Sequence, residues 1–462
     1  MKYERAFKRY NIEVKEAPAK VKLPPKYLVK RYANCVNLQE CVNACIYGVH
    51  IIGEDGRVAE PISEKCRGCF VCVLTCPRGA ISVEINPEFA KLGDTYFTPE
   101  RMETIYFEAE TGRVPVSGAG YGGPFAGRGF DGMWFDFSEI VRPTRDGIHG
   151  REYISTSVDL GRKPPYLSFK EGRLISEVPR VIEIPVPMIL DSPLRNNRYL
   201  NLQLAVVKAA NKLGTLAVVR KDHYGYYLSR YRGNIILRLS LAEVNEVGKV
   251  VKGIKVIEVD LTKSKEPRIK VFKEALATLR DLDRSTLISV RFRYAEGVSK
   301  EAYLYFKEGA DILHLSVNDL KVKDDPDLAV RAIRKVHGYL VNKGVRDEVT
   351  LIFSGGIAEA SHIPKSIILG ADAVCLGLAY QVALGCKVCY GEEHKEDCPL
   401  REGVDDVDWA AQRIINLVNA WRDQLLEVLS GMGLRDVRRL RGEMGRAMFY
   451  KELDAKVFGG GT

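Results

Sequence analysis

The sequence predicts an α/β protein: a (β/α)8 barrel of the TIM type, with a small cysteine-rich domain ahead of it. Three observations carry this expectation. Eight short, nearly continuous apolar runs alternate with longer amphipathic stretches from Val181 onward. Several of those stretches close on a glycine suited to a helix C-terminus, at Gly214, Gly309, Gly344 and Gly370. Seven of the 11 cysteines are packed between Cys35 and Cys76, too dense for a barrel and too regular for chance.

The runs are VIEIPVPMIL (181–190), TLAVVR (215–220), NIILRLS (234–240), IKVIEVDL (254–261), TLISVRF (286–292), ADILHLSV (310–317), VTLIFSGGI (349–357) and ADAVCLGLA (371–379). Strands buried on both faces read as unbroken apolar runs, as parallel barrel strands do. An open doubly wound sheet is the alternative. Helical stretches such as IKVFKEALATLRDL and PDLAVRAIRKVHGYLVNKG lie between the runs. The second and third helices are short, so the barrel is expected to be irregular there. A long amphipathic helix follows in VDWAAQRIINLVNAWRDQLLEVLSGMG, then a basic tail.

The expected organisation is an N-terminal arm (1–30), the cysteine-rich domain (31–90), an irregular Gly- and aromatic-rich segment (91–180), the barrel (181–400), and a C-terminal helix and tail (401–462). Apolar residues make up 46% of the 462, enough for a full core. The net charge of +9 is spread along the chain without a basic block or a basic–aromatic stripe, which argues against a nucleic-acid partner. No apolar run reaches the ~18 residues of a membrane helix. The N-terminus is charged and lacks the apolar stretch of a signal peptide. Dense cysteines without an export signal suit metal ligation in a reducing cytoplasm better than disulfides.

Cys66, Cys69, Cys72 and Cys76, followed by Pro77, form the run C-x2-C-x2-C-x3-C-P. Three thiolates at these steps wrap one cubane, and the fourth ligates the other cluster. The earlier run places Cys35, Cys41 and Cys45 on the same grid, with Leu38 at the second place and Ile46 where proline is usual. Crossed ligation then assigns a 4Fe–4S cluster to Cys45, Cys66, Cys69 and Cys72. It leaves Cys35, Cys41 and Cys76 for a second cluster with an apolar side chain at one corner. The expected occupant is 3Fe–4S, and the region resembles seven-iron ferredoxins; an empty, collapsed site is the alternative. The third group is Cys386, Cys389 and Cys398, with Glu392 and His394 as candidate fourth ligands. It is expected to hold a third iron–sulfur cluster, with zinc as the alternative.

Two Gly-rich turns end the seventh and eighth runs: Ser354-Gly355-Gly356 and Gly377-Leu378-Ala379. Loops at this end of strands seven and eight form the usual barrel phosphate site, so a phosphate-bearing cofactor such as FMN is expected there. Arg291 ends the fifth run and points toward the mouth, where a cation can face a reduced flavin. The bland reading is a surface ion pair.

The stretches SEIVRPTRDGIHGREYISTSVDLGRKP (138–164) and SGGIAEASHIPKSIILGADAVCLGLAYQVALGCKVC (354–389), with the cysteine segment, resemble the archaeal-type FMN-binding domain of glutamate synthase. The resemblance covers nearly the whole chain. It implies a flavin-binding barrel beside a 3Fe–4S cluster, and reductive amination of 2-oxoglutarate with ammonia from a separate glutaminase. Arg291 stands where the family carries a flavin-facing Lys. The strand-end loops depart: LDSPLRNN, RKDHYGYY, LTKSKEPRIK and NDLKVKDDP replace the family's Gly-rich turns. Glu392 falls at the family's middle ligand position.

Three functions are therefore weighed. The favoured one is an iron–sulfur flavoprotein oxidoreductase passing electrons to or past an FMN-type barrel, as a cytoplasmic subunit of a hetero-oligomer. Its partners would be other redox subunits, a glutaminase or an NAD(P)H- or ferredoxin-oxidising subunit. The others are an intact glutamate synthase subunit and a non-catalytic electron wire without flavin. Catalytic residues are not assigned, because the loops that would carry them have changed.

Overall fold

The computed structural model describes residues 10–115, 127–137, 153–164, 166–176, 180–193, 200–248, 253–264, 268–390, 395–449 and 459. The chain divides into two compact units, Ala19–Glu103 and a larger one made of Met1–Pro18 with Thr104–Thr462.

The larger unit is a closed barrel of eight parallel strands. They are β1 Met188–Leu190, β2 Ala217–Arg220, β3 Ile235–Leu239, β4 Val256–Asp260, β5 Leu287–Arg293, β6 Ile312–Ser316, β7 Thr350–Ser354 and β8 Ala373–Leu376. β8 pairs with β1, Val374 opposite Met188, which closes the ring. Closure leaves no edge and puts both strand faces out of water, so the runs need no alternation.

One expected strand is corrected. The run 181–190 does not enter the barrel whole. Arg180–Ile184 pairs antiparallel with Val158–Arg162 outside it, and only Met188–Leu190 joins the ring. Pro185 and Pro187 separate the two pieces. Neither can donate to a ladder, and each restricts the residue before it, so the chain turns between sheets there.

The helices follow their amphipathic stretches at Arg268–Leu282, Asp327–Asn342 and Val407–Gly431. Gly214, Gly309, Gly344 and Gly370 all have positive φ. Among the described residues, the chain after β2 forms 3-10 turns, and after β3 it forms the short helix Leu241–Val244. Inside the segment expected to be irregular lies a regular helix, Pro99–Thr111. Among the described residues no helix is long and apolar enough to cross a membrane.

The smaller unit holds two strands, Tyr27–Arg31 and Ile81–Ile85, paired antiparallel with Val29 opposite Val83. It also holds the short helices Glu40–Ala44, Val71–Thr75 and Pro87–Ala90. Its core cluster is small: Val29, Cys41, Val49, Val58, Cys72 and Ile81. Two of these are thiols, so the apolar core alone is thin for an independent domain, and bound metal is the usual supplement.

Candidate cysteine sites and the barrel mouth

The two cysteine runs fold as one repeat. Asn37 and Gly68 both take positive φ (60° and 67°). Gln39 and Phe70 both cap their helices in the left-handed region, at φ 62° and 60° with ψ 5° in each. Gly48 N–H donates to Cys45 O and Gly79 N–H to Cys76 O. Val49 N–H lies 3.4 Å from Cys45 Sγ, and Ala80 N–H lies 3.3 Å from Cys76 Sγ. Backbone N–H groups aimed at sulfur are one of the devices that tune a thiolate-held cluster. The repeat pairs Leu38 with Cys69, each between a left-handed residue and a helix cap.

The fold sorts the cysteines into two hollows. Cys35, Cys41 and Cys76 line one, together with Leu38. Cys45, Cys66, Cys69 and Cys72 line the other. Burial pushes the Cys72 thiol up to about 11, and the other three sulfurs of its hollow add to the rise. Burial likewise raises Cys41, with Cys35 and Cys76 contributing. Four or three sulfurs gathered this closely favour the thiolate form only beside a metal cation.

The third group follows β8 and the helix Leu378–Ala383. Cys386, Cys389 and Cys398 are buried, and their sulfurs all lie within 4.8 Å of one another. Val388 takes φ +57°, an uncommon conformation for a β-branched residue, and it turns Cys386 and Cys389 toward one point. Lys395 N–H lies 3.3 Å from Cys389 Sγ. The candidate fourth ligands Glu392 and His394 lie outside the described residues.

The residues expected to meet a flavin converge at the C-terminal end of the barrel strands. Arg291, Ser354 and Gly356 are already hydrogen-bonded there. Arg291 donates to Asp260 Oδ2 at 3.0 Å and to Ser316 Oγ at 2.9 Å, and its buried Nε has no hydrogen-bond partner among the described residues. Ser354 Oγ lies 2.9 Å from His314 Nε2. Gly355 has φ +106°, and a Cβ on it would stand 2.1 Å from Val317 O. Gly356 N–H donates to Asp319 Oδ1 at 2.7 Å. At Gly377 an added Cβ would have Asp191 Cβ as its nearest neighbour, at 4.0 Å, and Leu378 is buried.

Beneath the mouth lies a chain of polar groups that the sequence reading missed. Arg238 pairs with Asp191 at 2.8 Å and with Glu258 at 2.6 Å. Glu258 meets His314 Nδ1 at 2.6 Å and Ser289 Oγ at 3.3 Å. Burial pushes the Glu258 carboxyl up, but His314 and Arg238 outweigh it and hold it well below the usual carboxylate range. Buried charges persist only when paired and hydrogen-bonded in this way. The signal was present in the sequence: Arg238, Glu258 and His314 each stand between two apolar neighbours inside strand runs. A second group, Asp131, Glu359 and His362, also gathers ligand atoms within 4.8 Å. His362 Nε2 is 3.6 Å from Asp131 and 3.4 Å from Glu359, while Nδ1 is 3.0 Å from Gly356 O. Asp131 and His362 are far apart in sequence, and nothing local connects them.

Comparison with known proteins agrees with the resemblance read from the sequence. A family model described as "Conserved region in glutamate synthase" matches residues 268–435. The archaeal-type glutamate synthase [NADPH] of Dehalococcoides mccartyi is 25% identical over 91% of this chain and 94% of its own. The archaeal glutamate synthase [NADPH] of Methanocaldococcus jannaschii is 27% identical over 92% of this chain and 95% of its own. Among solved structures, an oxidised active mutant of (S)-mandelate dehydrogenase is similar at a TM-score of 0.44 and 15% identity, covering 79% of this chain and 94% of that one.

Proposed function

We propose that this chain is an iron–sulfur oxidoreductase subunit on a glutamate synthase scaffold, passing electrons toward an FMN-type barrel. One observation carries the reading. The cysteines separate into a three-sulfur hollow containing Leu38 and a four-sulfur hollow, each drawing one member from the other run. Crossed ligation of two clusters requires that arrangement, and two independent zinc sites would not. Cys45, Cys66, Cys69 and Cys72 would hold 4Fe–4S. Cys35, Cys41 and Cys76 would hold 3Fe–4S, and Cys386, Cys389 and Cys398 a third cluster. Bound clusters supply one-electron transfer.

For FMN, the chain offers a bare-backbone turn at Ser354-Gly355-Gly356, a second at Gly377-Leu378, and a guanidinium with an unspent buried Nε. Those groups fit a phosphate and a flavin edge, with the Asp319 carboxylate as the one conflicting contact. When bound, FMN supplies hydride chemistry on a carbonyl or imine. The chain's own part is positional. Asp260 and Ser316 hold Arg291 by two hydrogen bonds, and the Arg238–Glu258–His314 chain links three strands of the barrel beneath it. Glutamate formation, the activity in the relatives' names, is the reaction this reading would serve; the chain would act as a cytoplasmic subunit of a hetero-oligomer, with ammonia from a separate glutaminase.

The test is cofactor content. Anaerobically purified protein should carry about ten or eleven irons per chain, matching sulfide, and one FMN. A chain that retains its iron but takes no flavin would be the electron-wire subunit. Finding no iron would overturn the proposal.

A further inference from the structure

We propose that Asp319 governs whether the barrel's phosphate turn accepts a phosphate group, because its carboxylate occupies the turn's anion cradle as an internal ligand. This rests on reading Ser354–Gly356 as the flavin phosphate turn. The contact is direct: Gly356 N–H donates to Asp319 Oδ1 at 2.7 Å. A phosphate held by that turn would use the same N–H.

Both partners are fixed in place. Gly355 can adopt its φ of +106° only because it lacks a Cβ, which would otherwise press on Val317 O at 2.1 Å. Val317 N–H in turn donates to Ser354 O at 2.8 Å, locking the loop after β6 to the end of β7. Asn318 caps the helix Asp319–Asp324 through Leu320 N–H, and this points Asp319 back at the turn. The surroundings do little for the anion. Burial raises the Asp319 carboxyl above its ordinary value and Asp191 adds to this; Gly356 N–H and the Arg291 charge act the other way.

A phosphate monoester carries between one and two negative charges at neutral pH. It cannot share one N–H with a carboxylate, and at contact distance the two anions repel. A flavin phosphate must therefore displace Asp319. A flavin without phosphate makes no such demand. The wild-type chain should then gain little from the phosphate, and removal of the carboxylate should restore the gain.

The experiment uses the full-length, cluster-loaded protein stripped of flavin, titrated with FMN and separately with riboflavin by flavin fluorescence. Inorganic phosphate serves as a competitor. Wild type is expected to bind the two flavins within a fewfold of each other. Asp319→Ala should tighten FMN by about tenfold or more, leave riboflavin within about twofold, and make FMN binding sensitive to inorganic phosphate. Asp319→Asn keeps the oxygen but drops the charge, and should fall between. Thermal unfolding confirms that each variant folds. If either folded variant keeps the wild-type ratio of FMN to riboflavin affinity, Asp319 is not the determinant, and the flavin site stands without it. If no variant binds either flavin, the flavin reading falls and takes this proposal with it. Iron and sulfide content is independent of both outcomes.

Discussion

Leu38 and Cys69 occupy equivalent positions in two loops of the same backbone conformation, flanked by the left-handed pairs Asn37/Gly68 and Gln39/Phe70. Cys69 lines the four-sulfur hollow, and Leu38 lines the hollow of Cys35, Cys41 and Cys76. Because the loop geometry is kept, Leu38→Cys should complete the fourth corner. Iron should rise by about one per chain, and the EPR signal of an oxidised three-iron cluster should disappear. An unchanged iron count and EPR spectrum would mean that Leu38 does not face the vacant corner.

Cys398→Ser should remove the third cluster alone. The sulfurs of Cys386, Cys389 and Cys398 all lie within 4.8 Å of one another, so iron should drop by about three or four per chain. Mössbauer spectroscopy on labelled protein separates the three clusters. Loss of iron from all of them would contradict independent sites.

Glu258 compensates Arg238 inside the barrel. Glu258→Gln should destabilise by about 3 kcal/mol in denaturant unfolding at pH 7, because breaking a buried pair leaves a charge behind. The carboxyl is held below its ordinary value. Its contribution is therefore fully present above the unfolded value near ~4.3 and is lost as pH falls below that. The gap between wild type and variant should narrow on acidification.

Glu108 behaves in the opposite sense. Burial pushes its carboxyl up to about 8, although Trp421 Nε1 donates to Oε2 at 2.8 Å, and Oε1 has no partner among the described residues. A raised value means that its contribution is complete below its ordinary value of 4.5 and is lost as pH climbs from there through about 8. Glu108→Gln should raise the Tm at pH 9 and change it little at pH 5. A variant with the same deficit or gain at both pH values would refute the assignment.

Gly355→Ala places a Cβ against Val317 O at a φ of +106°. Strain and overlap together should cost about 3 kcal/mol. Denaturant unfolding measures it, and a loss under about 0.5 kcal/mol, within the range of neutral surface changes, would show that the turn is not locked.

The sequence by itself determined the elements whose cause is local. Parallel barrel strands are buried on both faces, so their apolar runs announce them, and left-handed glycines mark the helix ends. Cysteine spacing within a run fixes which sulfurs one loop can bring together, which is why the Cys66–Cys76 run could be read without a fold. The tertiary structure decided what depends on closure between distant segments. It lays Asp319 on Gly356. It also threads Arg238, Glu258 and His314 through the barrel floor, and gives the first half of 181–190 to another sheet. These pairings join residues tens of positions apart. Which partners meet is set by strand register and packing, and no local pattern records that.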